Sequence, residues 1–293
     1  MKIRGLHTAV VTPFTKSGEL DVPAFERLID MQIDAGVDGV VVCGSTGEGA
    51  TLSTEEKQTL WRCAVNRAAG RIMITAGTGT NDTRSTIDLS VKARQCGVDA
   101  VLVVTPYYNK PTSAGLVAHF RAVADATDVP MILYNVPGRT GQNVSAETQL
   151  AVAEACPSVI ATKEASANLE QMCQIIRHAR RDFALLAGDD VLTLPAIACG
   201  AQGVIAVISN YAPMRFGRLV RAALDGDLPA ARKEQMSLMP FFAANFIESN
   251  PIPVKHIMHM LGHIDCEFRL PLCRGSEATQ ETLRRIMKDF VDA

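Results

Sequence analysis

Short, continuous apolar runs recur along the chain, and several of them follow a glycine that ends a helical stretch. Gly36, Gly97 and Gly200 each precede such a run. A glycine just past a helix supplies the left-handed residue that ends it. A run without polar alternation is typical of a parallel strand that is covered on both faces. The pattern therefore predicts repeated units of helix, turn and strand.

Eight such runs can be counted, and most of the segments between them have helical spacing. In the segment after the second run, Ser53 and Glu56 form a capping box that begins a predicted helix over Glu55–Ala69. The predicted strands are Thr8–Thr12, Gly39–Cys43, Ile72–Ala76, Ala100–Val104, Met131–Tyr134, Val159–Thr162, Ala184–Ala187 and Val204–Val207.

Eight strands that alternate with helices predict an α/β fold, a (β/α)8 TIM barrel. A doubly wound sheet is the alternative, but no GxGxxG motif follows the first strand. From Tyr211 on the pattern is helical only, so we predict a catalytic barrel over 1–225 and a C-terminal helical region over 226–293. The helices predicted after Tyr211 are Pro213–Leu224, Asp227–Glu248, Pro253–Leu261 and Glu277–Val291.

The composition points to a small-molecule enzyme. Apolar residues make up 47% of the 293 residues, and the formal net charge is −2 without a basic tract, which argues against nucleic acid and anionic membranes. No secretory signal is recognisable, and no stretch approaches the ~18 apolar residues of a membrane span. We expect a cytoplasmic protein whose eight cysteines, without any CxxC pair, are buried reduced thiols.

Active sites of such barrels lie at the carboxyl ends of the strands. Lys163 directly follows the predicted strand Val159–Thr162. Burial disfavours the ammonium form, and a neutral amine can attack a ketone to form a Schiff base. The competing interpretation is a strand-end lysine paired with Glu164, and the sequence leaves both open.

None of the six histidines falls in the loops after the predicted strands. His7 precedes the first predicted strand, whereas His256, His259 and His263 share one helical face that we expect to be solvated or packed. A metal-dependent aldolase is therefore disfavoured, and we expect neither a metal nor a cofactor.

Three of the four tyrosines, Tyr107, Tyr108 and Tyr134, lie after the fourth strand and at the end of the fifth. With Ser45, Tyr134 and Tyr108 could form a hydroxyl relay that moves protons without a histidine. The alternative is that aromatic rings simply fill the barrel mouth.

Two further groups suit carboxylates, and one suits a cation. The segment 45–47 offers hydroxyls and closely spaced N–H groups, and Arg139 could bind a carboxylate through two nitrogens or be an ordinary surface arginine. Asp189 and Asp190 suit an ammonium group better than a phosphate, although we expect at least one to cap the following helix.

Four motifs resemble those of the dihydrodipicolinate synthase family, in the pyruvate-dependent class I aldolase superfamily that includes N-acetylneuraminate lyase. The similarity extends from the first strand to Lys255. The motifs are GSTGE at 44–48, YYNKP at 107–111, YNVPGRTG at 134–141 and KEA at 163–165.

The resemblance implies condensation of pyruvate with L-aspartate 4-semialdehyde, in lysine and diaminopimelate biosynthesis. It implies that Lys163 forms the imine and that Tyr134 shuttles protons with Ser45. Tyr108 would join them from the adjacent subunit of a homotetramer built from two tight dimers. The implied substrate-binding residues are Thr46 for the pyruvate carboxylate, Arg139 for the second carboxylate, and Gly188 and Ile205 in the pocket.

Arg139 favours a dicarboxylate-shaped second substrate over a sialic acid. Another pyruvate-dependent aldolase, acting on sugar acids or 4-hydroxy-2-oxoglutarate, is the alternative activity, and an inactive barrel used as a sensor or scaffold is the non-enzymatic one. Ser45 departs from the threonine usual in the family but keeps the hydroxyl.

Thr54, Lys57 and Ser85 stand where lysine-inhibited members often carry histidines and a glutamate. Lys57 would repel a lysine ammonium, so we predict weak or absent feedback inhibition by lysine. The possible regulatory site comprises Ala50, Asn81 and Tyr107.

Overall fold

The computed structural model describes residues 3–288 and Phe290. Eight parallel strands form a closed barrel in chain order, with the first strand also paired to the eighth. The predicted TIM barrel is confirmed. Its strands are β1 (Gly5–Ala9), β2 (Gly39–Val42), β3 (Met73–Gly77), β4 (Ala100–Val104), β5 (Met131–Asn135), β6 (Val159–Glu164), β7 (Ala184–Ala187) and β8 (Gly203–Ala206).

Helices surround the barrel, and most begin at a polar cap. The predicted capping box of Ser53 and Glu56 is present at the start of the second helix. The helices are α1 (Val22–Asp34), α2 (Thr54–Ala68), α3 (Thr83–Gln95), α4 (Ser113–Ala126), α5 (Pro137–Thr140), α6 (Ala146–Ala155), α7 (Leu169–His178), α8 (Thr193–Ala198), α9 (Pro213–Leu224), α10 (Leu228–Ala244), α11 (Ile252–Met260) and α12 (Glu277–Met287).

The first strand lies three residues earlier than predicted, so His7 is inside it rather than before it. The apolar run continues beyond β1 and stays buried, and its polar groups find both backbone and side-chain partners. The N–H of Val10 still donates to the Val41 carbonyl of β2 at 3.1 Å. The N–H of Val11 donates to Asn210 Oδ1 at 3.0 Å, and the Thr12 hydroxyl donates to the Gly47 carbonyl at 2.6 Å. An apolar run can therefore be buried without being a strand.

Strand alternation divides the buried residues into an inner and an outer layer. Val41, Leu102, Ile132 and Ile205 belong to the cluster inside the barrel, which is separate from the larger core between strands and helices. Because neighbouring residues of a strand point to opposite faces, the same alternation decides which polar groups at the strand ends face the barrel interior.

The segment between α10 and α11 reaches the barrel mouth. α10 ends at Ala244, four residues before the predicted end, and the side chain of Asn245 at its end accepts a hydrogen bond from Tyr211 at 3.1 Å. The chain then turns and brings Asn250 to the mouth before α11. No strand occurs after Tyr211 in the described part of the chain. The predicted end of the last helix, Val291, lies outside the described residues.

The cysteines only partly match the expectation of buried thiols. Four are buried, but Cys199 and Cys273 are exposed, and all eight are free. Within residues 3–288 and Phe290, no helix has both the length and the apolar character needed to span a bilayer.

Candidate active site

Lys163 is the only charged side chain of β6 that points into the barrel. It is 6% exposed, and its Nζ lies 4.3 Å from the centre of the Tyr134 ring on the neighbouring strand β5. Among the described residues no carboxylate forms an ion pair with it. The strand therefore holds an unpaired amine against an aromatic face inside the barrel mouth.

Glu164 points the other way and is fully occupied. Its carboxylate accepts hydrogen bonds from Asn135 (3.0 Å), Gln149 (2.6 Å) and Gln171 (2.9 Å), and from the N–H of Ser166 (2.8 Å). The competing interpretation, in which Lys163 pairs with Glu164, is therefore wrong. Strand alternation places the two side chains on opposite faces.

Lys163 lines a cavity of about 70 Å³ at the carboxyl ends of the strands. The cavity brings together most of the predicted site residues, although they come from different strand ends. Its floor includes apolar residues of β1, β2 and β4. Seven residues singled out from the sequence line it: Ser45, Thr46, Tyr134, Arg139, Lys163, Gly188 and Asp189.

A hydrogen-bonded chain links the two predicted carboxylate-binding residues. Asn250 donates through Nδ2 to the Thr46 hydroxyl oxygen at 2.9 Å, while its carbonyl accepts from Arg139 Nη2 at 2.8 Å. Because the Thr46 oxygen accepts this bond, its own hydroxyl proton is free to be donated to a ligand. Arg139 is exposed to solvent, but unlike an ordinary surface arginine it is tied to the mouth through Asn250 and lines the cavity.

The loop that carries Ser45 and Thr46 is held from behind by a buried ion pair. Glu48 Oε1 lies 2.6 Å from Lys255 Nζ on α11, and both side chains are fully buried. Lys255 also donates to the Thr12 carbonyl at 3.0 Å. In the same loop Gly47 is required, because a Cβ there would lie 2.9 Å from a backbone carbonyl oxygen. The C-terminal region thus fixes the loop's position.

Four predicted site residues do not make the contacts expected of them. The hydroxyls of Ser45 and Tyr134 make no hydrogen bond with the described residues, so the predicted relay is not formed within one chain. Tyr108 is 88% exposed and does not line the cavity. Ile205 is buried inside the barrel, but it is not one of the residues that line the cavity.

A wider cleft of about 440 Å³ adjoins the cavity and shares Ser45, Tyr134 and Arg139 with it. The possible regulatory residues Ala50 and Tyr107 line this cleft, together with Lys57. Burial lowers the pKa of Lys57. Asn81 does not line the cleft; its carbonyl accepts a hydrogen bond from the Asn109 side chain at 2.7 Å.

The two aspartates after β7 have separate environments. Asp190 accepts from the N–H groups of Val207 (2.9 Å) and Ile208 (2.7 Å), which start the short 3₁₀ turn after β8. Asp189 lines the cavity, and its side chain does not cap the turn that follows. The expectation that one of them caps its own following helix is therefore wrong, because Asp190 reaches across to the next loop instead.

Sequence reasoning missed Asn250 and the Glu48–Lys255 pair as parts of the site. A polar residue before a proline, and a lysine within an apolar helical stretch, were the only local signals at Asn250 and Lys255. Neither signal says which residue is the partner, because the partners lie 204 and 207 positions away along the chain.

A model of the Dihydrodipicolinate synthetase family matches residues 2–290. The 4-hydroxy-tetrahydrodipicolinate synthase of Aquifex aeolicus (strain VF5) is 44% identical over 287 residues, an alignment that covers 98% of this chain and 97% of the relative. The chain belongs to the dihydrodipicolinate synthetase family. The resemblance stated from the motifs is thus confirmed.

Solved structures of the family agree with the barrel described above. A crystal structure of dihydrodipicolinate synthase from Aquifex aeolicus matches with a TM-score of 0.96 and 44% identity, covering 98% of this chain and 97% of that one. A chloride-inhibited dihydrodipicolinate synthase from Acinetobacter baumannii, complexed with pyruvate, matches with a TM-score of 0.96 and 39% identity, covering 98% of both chains. A dihydrodipicolinate synthase from Cyanidioschyzon merolae with lysine bound matches with a TM-score of 0.94 and 41% identity, covering 97% of both chains.

Proposed function

We propose that this chain condenses pyruvate with L-aspartate 4-semialdehyde through a Schiff base on Lys163, giving 4-hydroxy-tetrahydrodipicolinate. The observation that carries the proposal is the buried Lys163, unpaired among the described residues and facing a cavity that also contains Thr46 and Arg139. The relatives' activity and the pyruvate complex of the Acinetobacter baumannii protein support the same assignment.

The arrangement suits this chemistry step by step. The neutral amine of Lys163 attacks the ketone carbon of pyruvate, and loss of water leaves an imine. The Thr46 hydroxyl donates a hydrogen bond to the pyruvate carboxylate. We assign removal of a methyl proton to Tyr134, whose ring lies 4.3 Å from Lys163 Nζ. This step gives an enamine, and the enamine carbon bonds to the aldehyde carbon of the second substrate. Arg139 binds that substrate's carboxylate.

Borohydride trapping tests the central step. Reduction in the presence of pyruvate should add one pyruvate-derived group to Lys163, detected by peptide mass spectrometry, and Lys163→Ala should remove the adduct. An adduct that persists in this variant would refute the mechanism. A coupled assay that compares aspartate semialdehyde with sugar-acid and 4-hydroxy-2-oxoglutarate substrates separates this activity from other pyruvate aldolases.

The exposed Tyr108 supports an oligomeric active site. We propose that the protein is a homotetramer in which Tyr108 enters the cavity of the adjacent subunit and completes the relay with Ser45 and Tyr134. Its ring is almost entirely exposed in one chain, and its backbone has a φ of 72°, an uncommon value for a residue other than glycine. Native mass spectrometry would measure the assembly directly, and a monomer with full activity would contradict it.

We also propose that lysine inhibits this protein weakly or not at all, in contrast to what the lysine-bound relative would suggest. Lys57 places a cation in the wide cleft beside Ala50 and Tyr107. Initial rates should stay unchanged as L-lysine is raised to millimolar concentration. Inhibition at micromolar lysine would disprove this proposal.

A further inference from the structure

Asp189 presents a carboxylate that the described part of the chain does not satisfy. It lies two residues beyond β7, and its Oδ2 is buried without a hydrogen-bond partner among residues 3–288 and Phe290. A buried carboxylate oxygen without a partner is costly. The Asp189 carboxylate is therefore available to accept a hydrogen bond from a bound molecule.

The neighbouring aspartate shows that the chain can satisfy a carboxylate here. Asp190 receives two backbone N–H donors, from Val207 and Ile208. Asp189 occupies the N-cap position of the turn Asp190–Leu192, yet its side chain makes no capping bond. The two backbone donors explain the orientation of the Asp190 side chain, whereas no capping bond explains that of Asp189.

The surroundings of Asp189 identify the kind of ligand. It lines the same cavity as Lys163, Arg139 and Phe246, but no ion pair joins it to either cation in the described residues. Burial raises the pKa of Asp189, the charge of Lys163 opposes that rise, and Glu164 adds to it. A cationic hydrogen-bond donor next to Lys163 would meet an acceptor already in place.

We propose that Asp189 binds the α-ammonium group of the second substrate, an inference that rests on the proposed function. The product is a nitrogen-containing ring, and Lys163 must be released, so the ring nitrogen comes from that amino group. After the ammonium gives a proton to the Asp189 carboxylate, the resulting amine attacks the carbon that is bonded to Lys163 Nζ. The bond from that carbon to Nζ then breaks, which releases Lys163 as an amine. A carboxylate on the same cavity wall would hold the nitrogen within reach, while Arg139 holds the carboxylate.

The test compares two aldehydes that differ only in the amino group. Asp189→Asn should lower kcat/KM for aspartate semialdehyde by about 30-fold or more, because a buried charge pair is lost. Succinic semialdehyde keeps the aldehyde and the carboxylate but lacks the amino group. Its inhibition constant at saturating pyruvate should be the same in wild type and variant.

Controls separate this inference from the proposed function. Borohydride trapping with pyruvate should give the Lys163 adduct in Asp189→Asn, and the exposed Asp182→Asn should match wild type in every assay. Two results would overturn the role of Asp189. One is that the variant loses affinity for succinic semialdehyde as much as it loses kcat/KM for aspartate semialdehyde, and the other is that neither quantity changes. A wild-type protein without the adduct or without turnover would instead overturn the proposed function. If Asp189→Asn does not fold, Asp189→Glu serves instead: it should lower kcat/KM for aspartate semialdehyde and leave the inhibition constant of succinic semialdehyde unchanged.

Discussion

Two buried lysines lie at the barrel mouth in opposite environments. Lys255 is enclosed by partners: Glu48 at 2.6 Å, the Thr12 carbonyl at 3.0 Å, and the rings of Phe14 and Phe268 at 4.5 and 4.8 Å from Nζ. In the described structure Lys163 contacts the Tyr134 ring and faces the cavity without an ion-pair partner.

The difference teaches which polar groups support the site and which are available for chemistry. Behind the cavity, Glu48, Glu164 and Asp190 each have several hydrogen-bond donors. On the cavity side, Lys163 and Asp189 lack such partners among the described residues. A satisfied buried charge holds a loop or a strand end in place, whereas an unsatisfied one favours a ligand.

The largest expected effect comes from breaking the ion pair of Lys255. Lys255→Met should lower the free energy of unfolding by about 3 to 5 kcal/mol, because Glu48 is left as an uncompensated buried charge. Denaturant unfolding measures this loss. The double variant Glu48→Gln, Lys255→Met should recover part of it. Equal losses in the single and double variants would show that the pairing does not matter.

A smaller effect is expected on the outer face of β6. Glu164→Gln introduces an amide group among the donors from Asn135, Gln149 and Gln171. It should reduce the free energy of unfolding by about 1 to 3 kcal/mol, because one or more buried donors lose their acceptor. The pyruvate adduct at Lys163 should form as in wild type. Loss of the adduct in a folded variant would contradict the division between the two faces.

The smallest expected effect is a change in pH dependence. Burial raises the pKa of Asp190 to about 6, against the hydrogen bonds from Val207 and Ile208. The native state then binds this proton more tightly than the unfolded state, so the free energy of unfolding falls as the pH rises from about 4 to about 6. In Asp190→Asn this part of the decline should be absent, and denaturant unfolding at several pH values measures it. If the free energy of unfolding falls with pH as steeply in the variant as in wild type, Asp190 does not cause the decline.

The sequence by itself determined the barrel and its reactive end. Continuous apolar runs after helix-ending glycines mark strands buried on both faces, and that local pattern needs no knowledge of partners. Lys163 was found because it ends such a run, and the carboxyl ends of barrel strands meet at one mouth. The predicted first strand runs three residues too far along the chain, because the apolar run stays buried beyond Ala9, where β1 ends.

Only the tertiary structure decided how the polar groups pair. Strand alternation turned Lys163 inward and Glu164 outward, which separated an available amine from a supporting carboxylate. Thr46 meets Asn250 across 204 residues, a contact that no local spacing encodes. Asp189 and Asp190 are identical in type and adjacent in sequence, yet only the fold supplies backbone donors to one of them. Side-chain type is a local property, whereas hydrogen-bond satisfaction depends on what distant segments bring to the same place.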